Sequence, residues 1–134
     1  MKSAPKVSDA EWEVMKALWR AGRPLSSEEI VEALSFKGWN PKTVRTLINR
    51  LAGKGAIEIR GKEGRAYRYE AVAKERDCAM ERSQSLLDAL FGGSLAPMLS
   101  CFVEAKRLDK EDISELEGIL KSFKKAGEKE RKGK

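Results

Sequence analysis

The chain has 134 residues, 36% charged and 41% hydrophobic, with 27 Lys and Arg against 21 Asp and Glu, no His and two Cys. This composition suits one modest, helix-rich domain with an appendage. It argues against metal chemistry, and the absence of an apolar run of spanning length or a secretory leader argues against a membrane partner, so the expected location is the cytoplasm. The net charge of +6 is uneven: residues 1–72 hold 14 basic against 9 acidic residues (+5), residues 73–123 hold 7 against 10 (−3), and residues 124–134 hold 6 against 2 (+4). A basic first part is the electrostatic footprint of a nucleic-acid binder, and the acidic middle is better suited to a different task.

The first two predicted helices carry their own start signals. Ser8-Asp9-Ala10-Glu11 has the Ser-x-x-Glu spacing of a capping box and leads into the stripe Val14, Met15, Leu18, Trp19. Ser26-Ser27-Glu28-Glu29 repeats the device ahead of Ile30, Val31 and Leu34. Between them Ala21-Gly22-Arg23-Pro24 breaks the chain, and Leu25 is placed to add a short strand. Trp12, Trp19 and Trp39 read as core or edge packing.

The segment from Asn40 to Leu51 predicts a helix with one dry face and one face suited to a DNA groove. Asn40 is its cap and Pro41 suits its first turn. At about 100° per residue Val44, Leu47, Ile48 and Leu51 form a narrow stripe, while Lys42, Thr46 and Asn49 point the opposite way, flanked by Thr43, Arg45 and Arg50. That outer face has no carboxylate. A surface helix that needs only solubility mixes charges of both signs, so an acid-free face of Lys, Arg, Thr and Asn fits an anionic partner better than a solvated surface does.

After a stop at Lys54-Gly55, Ala56-Ile57-Glu58-Ile59-Arg60 alternates as a strand, Gly61-Lys62-Glu63-Gly64 is the expected turn, and Arg65 to Glu70 alternates again with Tyr67 and Tyr69 on one face. A recognition-type helix followed by a basic hairpin is the order of a winged helix. The predicted fold class is therefore mainly α (α+β), with a winged helix-turn-helix domain over residues 1–72. Residues 73–123 read as three helices. The first has Leu86, Leu87, Leu90 and Phe91 on its apolar side and ends at Gly92-Gly93. The second, with Ser94 as cap, carries Met98, Leu99, Phe102 and Val103. The third, capped by Asp109, carries Ile113, Leu116, Ile119, Leu120 and Phe123. Three striped helices make a small core that gains from pairing with a second copy, so this region is the expected dimerisation module. Residues 124–134 are expected to be a disordered basic tail.

The segments Ser8-Asp9-Ala10-Glu11-Trp12-Glu13-Val14-Met15, Trp39-Asn40-Pro41-Lys42-Thr43-Val44-Arg45-Thr46-Leu47, Asn49-Arg50-Leu51, Glu63-Gly64-Arg65-Ala66-Tyr67 and Leu90-Phe91-Gly92-Gly93-Ser94-Leu95 resemble those of the penicillinase repressor (BlaI/MecI-type) family, from about residue 7 to about residue 123. The resemblance implies a homodimeric winged-helix repressor on a palindromic operator, silencing genes typical of antibiotic resistance until an inducing protease cuts the dimerisation part. In the family the scissile bond lies between an Asn and a Phe. Here Cys101 stands at the Asn position and Phe102 is kept, so Cys101-Phe102 is the candidate bond and the departure puts induction by the usual protease in doubt. Cys101 also suits a small apolar role in a dimer core.

On this reading Lys42, Thr43, Arg45 and Thr46 contact base edges. Trp39, Asn49, Arg50, Lys54, Arg60, Lys62 and Arg65 hold phosphates. The dimer interface takes in Leu87, Leu90, Phe91, Leu99, Phe102, Val103, Ile113, Leu116 and Leu120. No metal, cofactor or catalytic site is expected, because no His, Gly-rich phosphate loop or nucleophile motif is present. Two alternatives stay open: a winged helix used for protein or RNA binding, and a thiol-responsive regulator in which the Cys101 residues of two copies face each other across a dimer; Cys78 and Cys101, 22 residues apart, do not suggest a structural disulfide in a cytosolic chain.

Overall fold

The computed structural model describes residues 4–132, with side chains as far as Glu128. Its elements are α1 (Asp9–Ala21), β1 (Leu25–Ser26), α2 (Ser27–Ala33), a 3₁₀ turn (Ser35–Lys37), α3 (Pro41–Gly53), β2 (Ile57–Glu63), β3 (Ala66–Ala71), α4 (Glu75–Phe91), α5 (Leu95–Glu104) and α6 (Lys110–Lys132). Both Ser-x-x-Glu boxes form: Ser8 and Glu11 cap α1 reciprocally, and Ser26 and Glu29 do the same for α2. The chain divides into two compact units, residues 1–86 and 87–134.

In the first unit three helices enclose one core. Val14, Met15 and Leu18 from α1, Ile30 and Leu34 from the α2 segment, and Val44, Leu47, Ile48 and Leu51 from α3 are all buried, together with Leu25 and Ile57. Each such side chain contributes roughly 1.5–3 kcal/mol relative to exposure. Trp12 and Trp19 meet edge to face with centroids 5.1 Å apart, and the Trp19 indole N–H donates to the Ala73 carbonyl at 2.9 Å. These tryptophans are structural, as their helical spacing implies.

The sheet has the order β1-β3-β2, all antiparallel, with Leu25 opposite Tyr69 and Ile57 opposite Ala71. Leu25 does add a short strand to the wing. The hairpin turn is displaced from the expected Gly61–Gly64: β2 runs to Glu63, which pairs with Ala66, and Gly64-Arg65 makes the turn. An irregularity between Ile59 and Gly61 inserts one residue into β2, and Gly64 at φ +63° takes the first turn position, which a two-residue hairpin reserves for glycine.

The domain boundary also differs from 72/73. Cys78, on the first turn of α4, is buried in the core of the first unit, so α4 begins there and the units meet at Leu86/Leu87. In the second unit Asp109 and Asp112 cap α6 reciprocally, whereas the Ser94 side chain makes no capping hydrogen bond. Over the expected tail α6 continues to Lys132, with Gly133 and Lys134 outside the described residues. Apart from Gly127, residues 124–132 are Lys, Glu, Ala and Arg, good helix formers that extend a helix already nucleated upstream. No side chain described from Leu87 to Glu128 is buried. Among the described residues no single helix is long and apolar enough to cross a membrane.

Candidate nucleic-acid interface

The Asn40 side chain accepts from the Lys42 amide at 2.8 Å, and Pro41 occupies the first turn of α3, where its missing N–H is not needed. Replacing Asn40 by Ala is expected to cost about 1 kcal/mol of stability, measured by urea unfolding. The four-residue stripe of α3 fixes the helix in the core, and that anchoring leaves Lys42, Thr43, Arg45, Thr46, Asn49 and Arg50 all exposed. No acidic residue lies on α3. Among the described residues none pairs with the side-chain cation of Lys42, Arg45 or Arg50, since the bonds at Lys42 use its backbone. The Thr46 hydroxyl donates to the Lys42 carbonyl at 3.0 Å, which leaves its oxygen lone pairs and γ-methyl for a partner.

The other predicted cations divide sharply. Among the described residues Arg65, at the hairpin turn, has no ion-pair partner, and the Lys62 ammonium lies 5.3 Å from the Tyr67 ring centroid, next to the turn. Lys54, expected on a phosphate, is instead turned inward: its ammonium meets Glu11 Oε1 at 2.6 Å and the Lys6 carbonyl at 2.7 Å. Arg60 is engaged by Glu58 at 2.8 Å and Glu70 at 2.6 Å, the neighbours that the hairpin register supplies. Lys54 is 37% exposed and Arg60 54%, each with a carboxylate in ion-pair range. Trp39 is half-buried against the core, with the Lys37 ammonium 5.8 Å from its ring centroid.

Glu11 is the residue that sequence reasoning missed. Read as a cap, it is also 2% exposed. Burial pushes its carboxyl pKa up, but the hydrogen bonds from Lys54 and Ser8, with the Lys54 charge, outweigh that and hold it below the ordinary value. Arg68 provides a second cross-link, bridging Glu63 in β2 and Glu29 in α2, the latter at 3.4 Å. Cys78 is inert by environment: burial, then the charges of Asp77 and Glu81, raise its thiol pKa, whereas Cys101 is exposed on α5.

A family model described as "Penicillinase repressor" matches residues 7–122. The chain belongs to the penicillinase repressor family. That is a family of transcriptional repressors rather than enzymes. Among relatives, the penicillinase repressor of Bacillus licheniformis is 39% identical over 92% of this chain and 96% of its own length, and the methicillin resistance regulatory protein MecI of Staphylococcus aureus (strain N315) is 35% identical over 86% and 93%. The solution structure of the DNA-binding domain of the repressor BlaI matches with 41% identity and a TM-score of 0.50, covering 57% of this chain and 93% of that one. The winged-helix architecture of the family is thus the architecture of the first unit.

Proposed function

We propose that this protein is a homodimeric, DNA-binding transcriptional repressor that acts in the cytoplasm on a palindromic operator. The observation that carries it is the exposed, acid-free face of α3, followed in the chain by a hairpin whose tip carries Arg65 and Lys62. In this reading α3 enters the major groove. Lys42, Thr43, Arg45 and Thr46 read base edges, the cations at guanine and Thr46 through its free lone pairs or its methyl at thymine. Trp39, Asn49, Arg50, Lys62 and Arg65 hold phosphates, which fix register without reading sequence.

A single recognition helix makes few base contacts, so affinity rests on linking two. Leu87, Leu90, Phe91, Leu99, Phe102, Val103, Ile113, Leu116 and Leu120 supply an apolar surface for that link, and several are largely exposed in one chain, Leu90 at 65% and Leu120 at 60%. Relief by proteolysis at Cys101-Phe102 would then separate the reading heads without touching either. The bond lies inside α5, which has no buried residue, so local opening to admit a protease costs little packing. The relatives' names point to antibiotic-resistance genes as the regulated class.

The test is selection of bound sequences from random duplex DNA by the purified protein, followed by titration of the winning site at two salt concentrations. The expected result is a palindrome preferred over random duplex by roughly 4 kcal/mol or more, with affinity falling steeply with salt. Recovery of no preferred sequence would overturn the repressor reading in favour of a protein- or RNA-binding winged helix. On the selected site Thr46→Ala is expected to lose about 1–3 kcal/mol and relax preference at one base pair, whereas Lys62→Ala weakens all duplexes alike. An equal loss on operator and random DNA for Thr46→Ala would remove Thr46 from the base-reading set.

A further inference from the structure

Between Ile57 and Ala71 the hairpin carries four bases and three acids, and its register sorts them onto two faces. Opposed residues of an antiparallel pair share a face, as do alternate residues along a strand. Lys62, opposite Tyr67, therefore lies on the face of Tyr69 and Leu25. Glu63, opposite Ala66, lies on the other face with Arg68 and Ser26, the capping residue of α2. The Arg68 guanidinium spans this second face. It pairs with Glu63 beside the turn and with Glu29 of α2 at 3.4 Å.

The pairing decides which charges the tip presents. Arg60 is taken by Glu58 and Glu70. Among the described residues the hairpin cations without a carboxylate partner are Lys62 and Arg65, which bracket Glu63 in the sequence. Glu63 is 71% exposed, so without Arg68 its charge would stand free between them. Two like charges about 4 Å apart in water repel enough to change an equilibrium roughly fivefold. A free Glu63 would thus oppose the phosphates that Lys62 and Arg65 are placed to hold. The other end of the bridge is anchored: Glu29 accepts from the Ser26 amide at 3.0 Å and from Arg23 at 2.9 Å. Arg68 is tied to a fixed group on a separate element, unlike an isolated surface pair that its own side-chain freedom loosens.

We infer that Arg68 is a positioning residue for DNA binding: anchored on Glu29, it holds and neutralises Glu63 so that Lys62 and Arg65 meet phosphates with no opposing charge between them. The inference rests on the DNA-binding reading and adds a residue that acts without touching DNA. A direct phosphate contact by Arg68 is disfavoured, because two carboxylates already occupy its guanidinium.

The experiment measures affinity of the full chain for its selected site and for random duplex over a salt series. Arg68→Met is expected to weaken both roughly threefold to tenfold, with the loss shrinking as salt rises and the base preference intact. Glu63→Gln alone is expected to change affinity by less than about twofold, yet to recover most of the loss when added to Arg68→Met. Arg68→Lys keeps the charge but not the fork that reaches two carboxylates, and is expected to fall between wild type and Arg68→Met. A loss that Glu63→Gln does not recover would overturn the inference, making Arg68 either a phosphate contact or, where the urea unfolding midpoint also falls, a structural brace. A roughly tenfold gain from Glu63→Gln alone would also overturn it, by showing that the carboxylate is not masked, and that measurement requires no change at Arg68. Unchanged affinity of Arg68→Met would reject the role while leaving the DNA-binding reading in place. A wild-type chain that binds neither duplex would overturn that reading and the role of Arg68 with it.

Discussion

Leu120→Asp/Phe123→Asp should sediment as a monomer and lose about 10²–10⁴-fold in affinity for the full palindrome, with affinity for an isolated half-site unchanged. The two side chains are 60% and 78% exposed in the single chain, so aspartate there removes little internal packing. In a dimer the same positions are closed off, and an unpaired carboxylate buried on each helix costs several kcal/mol. The loss on the palindrome is large because the second reading head then binds from bulk solution instead of from a tethered position. Analytical ultracentrifugation and paired titrations on half-site and palindrome make the check. A dimer that survives both substitutions would place the interface away from α6. A monomer with palindrome affinity unchanged would show that tethering contributes nothing to operator binding.

Lys54→Met is expected to destabilise the first unit by about 2–3 kcal/mol at neutral pH, measured by chemical denaturation of the full chain. The substitution keeps the aliphatic stem and removes the ammonium that pairs with Glu11 at 2.6 Å, leaving a buried carboxylate whose Oε2 already has no hydrogen-bond partner. Breaking one side of a buried pair commonly costs 3–5 kcal/mol. The lower figure is appropriate because the Lys54 side chain is 37% exposed and solvent screens it. The pH dependence follows from the depressed carboxyl pKa of Glu11 in the folded state. Its contribution is fully present above the ordinary value of 4.5 and is lost as pH falls through the lower folded value. Removing Lys54 removes a hydrogen bond and a charge that lower that pKa, so the difference between wild type and Lys54→Met should be largest near neutrality and shrink as pH falls below 4.5 through the lowered wild-type value. A difference that stays constant as pH falls from 7 to well below 4.5 would show that the lost stability is packing of the lysine stem and not the ion pair.

Where short-range rules govern, the residues announced the structure. The two Ser-x-x-Glu boxes, the Asn40-Pro41 start and the four-residue stripe of α3 each depend on neighbours within a few positions, and each forms as expected. The exposed face of α3 follows directly, because burying Val44, Leu47, Ile48 and Leu51 forces Lys42, Thr46 and Asn49 outward. The hairpin was legible in kind but not in register, since one extra residue near Arg60 moves its turn to Gly64-Arg65. The length of α6 was not legible, since charge and low hydropathy suggest a tail whereas helix propensity propagates cheaply once the upstream turns exist.

The sequence by itself determined the succession of elements, the buried stripe of α3 and the acid-free face between Lys42 and Arg50. Periodicity and capping are properties of a local helix and need no knowledge of what lies across the molecule. Only the tertiary structure decided which cations remain free. Lys54 is neutralised by Glu11, 43 positions away in the chain, and Arg68 by Glu29, 39 positions away, while Lys42, Arg45 and Arg50 keep their charge exposed. It likewise decided that Cys78 belongs to the winged-helix core. Those outcomes depend on distances of a few ångströms between segments that the fold brings together, and electrostatic pairing falls off too steeply for composition or spacing to reveal them.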